Sequence, residues 1–171
     1  SKLAAEKILI NLCETNNVEY NIAVPHNIIG PKQKYNDPFR NVVSIMSNLM
    51  LQNRNPIIYG DGEQKRYFSD IDDCIFCIDK LLLDKKVNKE VVNIGPDENF
   101  VTINELFEIL SNKLQFNKNP KYYKDRPNEV KYAKWSSENA RKLLKYKTSV
   151  SLENSIQKAV DNVKLNGKKI I

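Results

Sequence analysis

Hydrophobic side chains at Leu3, Ala5, Ile8, Leu9 and Leu12 recur at intervals that gather them on one broad face of a helix over residues 2–14. Thr15, Asn16 and Asn17 break that pattern and predict a turn. Residues 18–24 are rich in β-branched and aromatic side chains and end at Pro25, so they read as a strand emptying into a loop over 26–31. A polar, proline-ended loop over 32–38 leads to a predicted helix over 39–52, where Val42, Val43, Ile45, Met46, Leu49 and Met50 keep helical spacing. Residues 56–59 form a short predicted strand, Gly60, Asp61 and Gly62 a tight turn, and 67–71 a second short strand expected to pair with the first. Asp72 and Asp73 suit the positive end of a helix running to about residue 83.

The pattern then returns to a strand over 91–94, closed by Gly95 and Pro96. Thr102 and Glu105 spell a capping box opening a helix to about residue 114. Beyond Pro120 come a strand over 121–124, a loop over 125–129, and helices over 137–144 and 151–165. Helix and strand alternate, which predicts an α/β fold with 18–24 and 91–94 as members of one parallel sheet and a small mixed lobe beside it. Two strands do not make a parallel sheet covered on both faces, so further strands are expected upstream. The chain also opens with Ser1-Lys2 inside an apparent helix, which fits a start cut from a longer protein.

Composition narrows the classes. A chain of 171 residues, 41% hydrophobic, buries roughly 70% of its unfolded surface and sustains a core. With 28% charged residues and only 5 glycines it is neither fibrous nor of low complexity. The net charge of +6, from 27 basic and 21 acidic residues, is dispersed, with Lys-Lys pairs only at Lys85-Lys86 and Lys168-Lys169. That dispersion argues against nucleic-acid binding and leaves a small phosphate-bearing ligand open. No run of about 20 apolar residues predicts a membrane span. The 3 cysteines fit a reducing cytoplasm. Cys74 and Cys77 spell C-x-x-C, but helical spacing sets them beside apolar neighbours and His26 is the single histidine, so buried helix cysteines are expected instead of a metal or redox site.

Five stretches carry candidate chemistry. They are Ser1-Lys2 on the first helix, the loop from Pro25 to Pro31 (PHNIIGP), the turn from Gly60 to Arg66 (GDGEQKR), Asn93-Ile94-Gly95, and Arg126-Pro127-Asn128-Glu129. In this order and at these separations they closely resemble the carboxyl-terminal half of extended short-chain dehydrogenase/reductases that act on nucleotide sugars. The resemblance covers nearly the whole chain. It implies a Rossmann-type parallel sheet with NAD as cofactor, residues 1–31 ending the NAD-binding domain, and 32–171 forming mainly the nucleotide-sugar lobe, with 87–96 returning to the sheet.

The resemblance also implies roles. Lys2 would be the lysine of a Tyr-x-x-x-Lys motif whose tyrosine lies three positions before Ser1. A cation there is needed because a free phenol, with a pKa of about 10, is scarcely ionised at neutral pH. Lys2 would also meet the cofactor ribose, with Pro25 and His26 beside the nicotinamide. Asn27, Asn41, Tyr59, Arg66, Asn93, Arg126 and Glu129 would contact the nucleotide sugar, the arginines through diphosphate and Glu129 through ribose hydroxyls. Asn128 stands where the family has glycine, and asparagine tolerates the left-handed backbone such a turn asks for.

The implied reaction is oxidation of a sugar hydroxyl to a 4-keto intermediate by hydride transfer to NAD, then hydride return. A UDP-sugar 4-epimerase is the expected parent enzyme. Alternatives are a nucleotide-sugar 4,6-dehydratase, an enzyme like GDP-mannose 3,5-epimerase, and a non-catalytic nucleotide-binding homologue. A homodimer through the first helix is expected, and the chain alone is expected to be inactive.

Overall fold

The computed structural model describes residues 1–37, 40–97, 100–127, 129–132 and 136–167. The expected helix start at Phe39, the turn residue Asn128 and the cluster Lys168-Lys169 lie outside the described residues. Helix α1 spans Lys2–Thr15 and buries none of its residues; Leu3, Ile8, Leu9 and Leu12 are all exposed. The Val18 N–H bonds back to Cys13 O (2.8 Å) and the Tyr20 N–H to Asn88 Oδ1 (3.3 Å). These donors are unavailable to a ladder, so strand β1 begins later than expected, at Asn21–Pro25.

Strand β1 pairs in parallel with β6 (Glu90–Ile94), Asn21 opposite Glu90 and Pro25 opposite Ile94. Helix α3 (Ile71–Leu83) covers one face of this pair, and α5 (Glu138–Leu144) packs on β6. The core here joins Cys74, Cys77 and Leu81 to Val92, Ile94, Ala140 and Leu144. Burial pushes the Cys74 thiol up to about 11 and Cys77 up to about 12, which keeps both protonated and unreactive.

The expected pairing of 56–59 with 67–71 does not form. Strand β3 (Ile57–Tyr59) pairs in parallel with β8 (Lys121–Tyr123), β4 (Lys65–Arg66) runs antiparallel to β7 (Val101–Thr102), and β5 (Ser69–Asp70) runs parallel to β2 (Ile28–Ile29). The hairpin is pre-empted at its closed end. The Gly60 N–H goes to Tyr123 O (2.9 Å), and Tyr59 O accepts from Gln64 Nε2 (2.9 Å).

A second core fills the space between α2 (Val42–Leu51), α4 (Ile103–Leu114) and α6 (Leu152–Asn166), with Val43, Met46, Ile58, Leu106, Leu110, Ile156 and Val160 buried. The capping box is present: the Glu105 N–H donates to Thr102 Oγ1 (3.0 Å), and the Thr102 N–H donates to Glu105 Oε2 (2.7 Å). Among the described residues no helix is long and apolar enough to cross a membrane.

Asp70 fastens the two cores together. Its Oδ1 accepts from the Asp72 N–H (2.9 Å) and caps α3, so the helix starts before the expected Asp72-Asp73. Its carboxylate also accepts from Ser155 Oγ (2.6 Å) and Lys158 Nζ (3.2 Å) on α6. Burial raises the Asp70 pKa, but the Ser155 hydroxyl, the Asp72 amide and Lys158 outweigh it and hold the carboxyl below its ordinary value. A depressed pKa contributes stability above the unfolded value of about 4 that is lost as pH falls through the folded one. Asp70→Asn keeps a capping oxygen and removes the charge. It should cost about 1–3 kcal/mol at pH 7 and flatten the loss of stability below about pH 4. Urea midpoints at pH 7 and pH 3 decide this; an equal drop in both proteins would exclude the role.

Candidate functional site

The start of α2, the loop after β1 and the β3–β4 turn converge on a cavity of about 490 Å³. Asn41 sets the helix end there. Its backbone is extended, its Oδ1 accepts from the Val43 N–H (2.9 Å), and its Nδ2 donates to Ile28 O (3.1 Å), which ties the cap to β2. Asn41 and Val42 line the cavity, so the positive end of the helix dipole faces it.

The opposite wall is β3. Ile58 is buried in the core and also lines the cavity, as do Ile57 and Tyr59. Gly60 has φ 73° and a Cβ there would collide with the Asp125 carboxylate, so glycine lets the loop after β8 lie directly on the turn. That loop brings the Arg126 guanidinium over the Tyr59 ring, 4.0 Å from its centroid.

Arg66 enters from β4. Its Nη1 donates to Lys65 O (2.9 Å) and Val130 O (2.8 Å), and its Nη2 to Glu129 Oε1 (2.8 Å). The other Glu129 oxygen, Oε2, is buried and has no hydrogen-bond partner among the described residues. A buried carboxylate oxygen without a donor is costly.

At the carboxyl end of β1 the His26 N–H donates to Ile94 O (3.1 Å) and His26 O accepts from Ser69 Oγ (2.6 Å). Asn27, at φ 37°, donates from Nδ2 to Tyr67 O (2.9 Å). The same amide nitrogen lies 3.2 Å from His26 Nε2, which suits a neutral ring with its proton on Nδ1. Burial, then the Arg66 charge, hold the His26 pKa below its ordinary value.

The cavity therefore gathers Asn27, Asn41, Tyr59, Arg66, Arg126 and Glu129. Lys2, Pro25, His26 and Asn93 do not line it. Lys2 is exposed at the start of α1, and Pro25 and His26 end β1. Asn93 donates to Ser136 O (3.0 Å), a bond that steadies the approach to α5. The sequence reading missed Arg40, Arg54 and Gln64, which also border the cavity. Gln64 lay within the quoted turn and Arg40 beside Asn41; Arg54 carried no signal.

Ligands of open parallel α/β proteins gather beyond the carboxyl ends of the strands, and this cavity opens next to that edge, as in proteins of the Rossmann type. The chain belongs to the NAD dependent epimerase/dehydratase family, whose profile matches residues 1–95. A candidate UDP-glucose 4-epimerase of Methanocaldococcus jannaschii is 31% identical over 98% of this chain and 53% of its own length. The UDP-glucose 4-epimerase of Thermotoga maritima, solved with UDP-glucose, superposes with a TM-score of 0.85 at 28% identity, over 96% of this chain and 52% of that one. A variant of the UDP-glucuronic acid 4-epimerase of Bacillus cereus, solved with UDP-4-deoxy-4-fluoro-glucuronic acid and NAD, gives 0.87 at 26% identity, over 97% and 52%. The chain thus spans about half the length of these relatives.

Because His26 is the single histidine, its ring gives one isolated titration. The ring resonance should titrate below the ordinary value of about 6.5. Arg66→Ala should move it up only part of the way, since burial is the larger cause. A midpoint at or above the ordinary value in the unsubstituted chain would rule out this electrostatic picture.

Proposed function

We propose that this chain is the nucleotide-sugar-holding half of an NAD-dependent UDP-sugar 4-epimerase. The observation that carries the reading is the convergence, in one cavity, of Tyr59, Arg66, Arg126 and Glu129. A ribose hydroxyl is a donor that suits the Glu129 carboxylate. The diphosphate suits guanidinium forks backed by the start of α2. Tyr59 and Ile57 offer a ring and an apolar wall to a flat base.

Lys2, Pro25 and His26 are the residues of this chain that would hold NAD. The fit rests on His26: its lowered pKa keeps the ring uncharged, which is compatible with a cationic nicotinamide next to it. When bound, NAD supplies the acceptor and donor of hydride. Lys2 would favour ionisation of a nearby tyrosine phenol, and Asn27 would offer its amide to sugar or phosphate. Arg66 and Arg126 would anchor the diphosphate while the sugar turns to present either face. The exposed apolar stripe of α1 supports a homodimer built on that helix.

UDP titrated calorimetrically into this chain should bind, and Arg126→Ala should weaken it about ten- to a hundredfold, the loss of a charged hydrogen bond. In the enzyme carrying this chain with its cofactor-binding half, UDP-glucose and UDP-galactose should interconvert. Formation of a stable 4-keto-6-deoxy product, or binding of NAD and UDP without turnover, would overturn the epimerase assignment.

A further inference from the structure

Arg66 and Arg126, two of the arginines that line the cavity, differ in commitment. Arg66 spends its Nη donors on Glu129 and two backbone carbonyls. The Arg126 guanidinium makes no hydrogen bond to the described residues and rests on the Tyr59 ring. That ring is held in place by β3–β8 pairing, with Tyr59 opposite Tyr123, whose own ring lies tilted beside it at 6.3 Å. Tyr123 crowds one side and Arg126 covers a face in the cavity. A base that stacks on that face must take the seat the guanidinium holds.

We propose that the Tyr59 ring is a shared seat: Arg126 occupies it in the empty cavity, an arriving nucleobase displaces the guanidinium, and the freed side chain closes onto the diphosphate. The proposal rests on the nucleotide-binding reading above and specifies how it discriminates. A nucleoside alone must break the cation–π contact and leaves Arg126 with no anion. A diphosphate alone must pull Arg126 from the ring and leaves the ring uncovered. Only a ligand with both parts refills both positions, so the Tyr59–Arg126 pair selects nucleoside diphosphates over either fragment.

The signs of two substitutions test this. Arg126→Ala and Tyr59→Leu should both weaken UDP, yet Arg126→Ala should tighten uridine, and Tyr59→Leu should tighten inorganic pyrophosphate, each about two- to fivefold. Tyr59→Phe keeps the ring and should bind pyrophosphate like the unsubstituted chain, which separates loss of the seat from a general disturbance of β3. Affinities come from NMR titration, with circular dichroism confirming that each variant is folded. Unchanged, weaker or undetectable binding of uridine to Arg126→Ala, or of pyrophosphate to Tyr59→Leu, overturns the exchange even if UDP binds normally. Failure of UDP to bind the unsubstituted chain would instead overturn the nucleotide reading itself.

Discussion

The cavity depends on one short alignment, the parallel pairing of Ile57–Tyr59 with Lys121–Tyr123. Strands of this length are marginal by themselves, so what fixes the pairing is Ile58, buried between α2 and α4 in the larger core. From that anchor the geometry follows by chain length alone. Tyr59 is held opposite Tyr123, the Gly60 N–H meets Tyr123 O, and the chain then turns over Gly60 to set Arg126 on the Tyr59 ring. Glu129, a few residues further on, reaches Arg66 on β4. A slip of one residue in this register would exchange the faces that Ile58 and Tyr59 present.

Stability and function pull in different directions at the Arg66–Glu129 pair. The two side chains are 21% and 24% exposed, where an ion pair contributes modestly and its desolvation is only partly offset. The unpartnered Glu129 oxygen makes the arrangement worse for the empty chain by about 1–3 kcal/mol. That cost falls at the wall of the cavity, where a ligand could use the charges.

Much of the fold was readable because helices advertise themselves by period. The stripes over α2, α3, α4 and α6 and the Thr102–Glu105 box appear at or near their expected places, as does the parallel pair β1–β6. The short strands were not readable in the same way. Stretches such as Lys65–Arg66 or Ile28–Ile29 show no alternation, and their partners lie tens of residues away, so nothing local names them. The candidate site divides similarly. Asn27, Asn41, Tyr59, Arg66, Arg126 and Glu129 were singled out by the family resemblance, and the structure brings them together. The salt bridge from residue 66 to 129, the orphaned oxygen, and the seat of Arg126 on Tyr59 are tertiary facts that no spacing encodes.

The segment from Lys65 to Asp70 shows why the cavity and the edge of the parallel pair can act as one site. Arg66 and Phe68 face the cavity, while Tyr67 sits against the His26 ring at 6.1 Å. The next residue, Ser69, then holds the loop after β1 at two points, through its hydroxyl on His26 O and its N–H on Asn27 O (3.2 Å). Asp70 closes the series by capping α3 and binding α6. One extended run therefore fixes the guanidinium, the loop at the end of β1, and the junction of both cores. The spacing between Arg66 in the cavity and His26 outside it is thereby set by packed backbone.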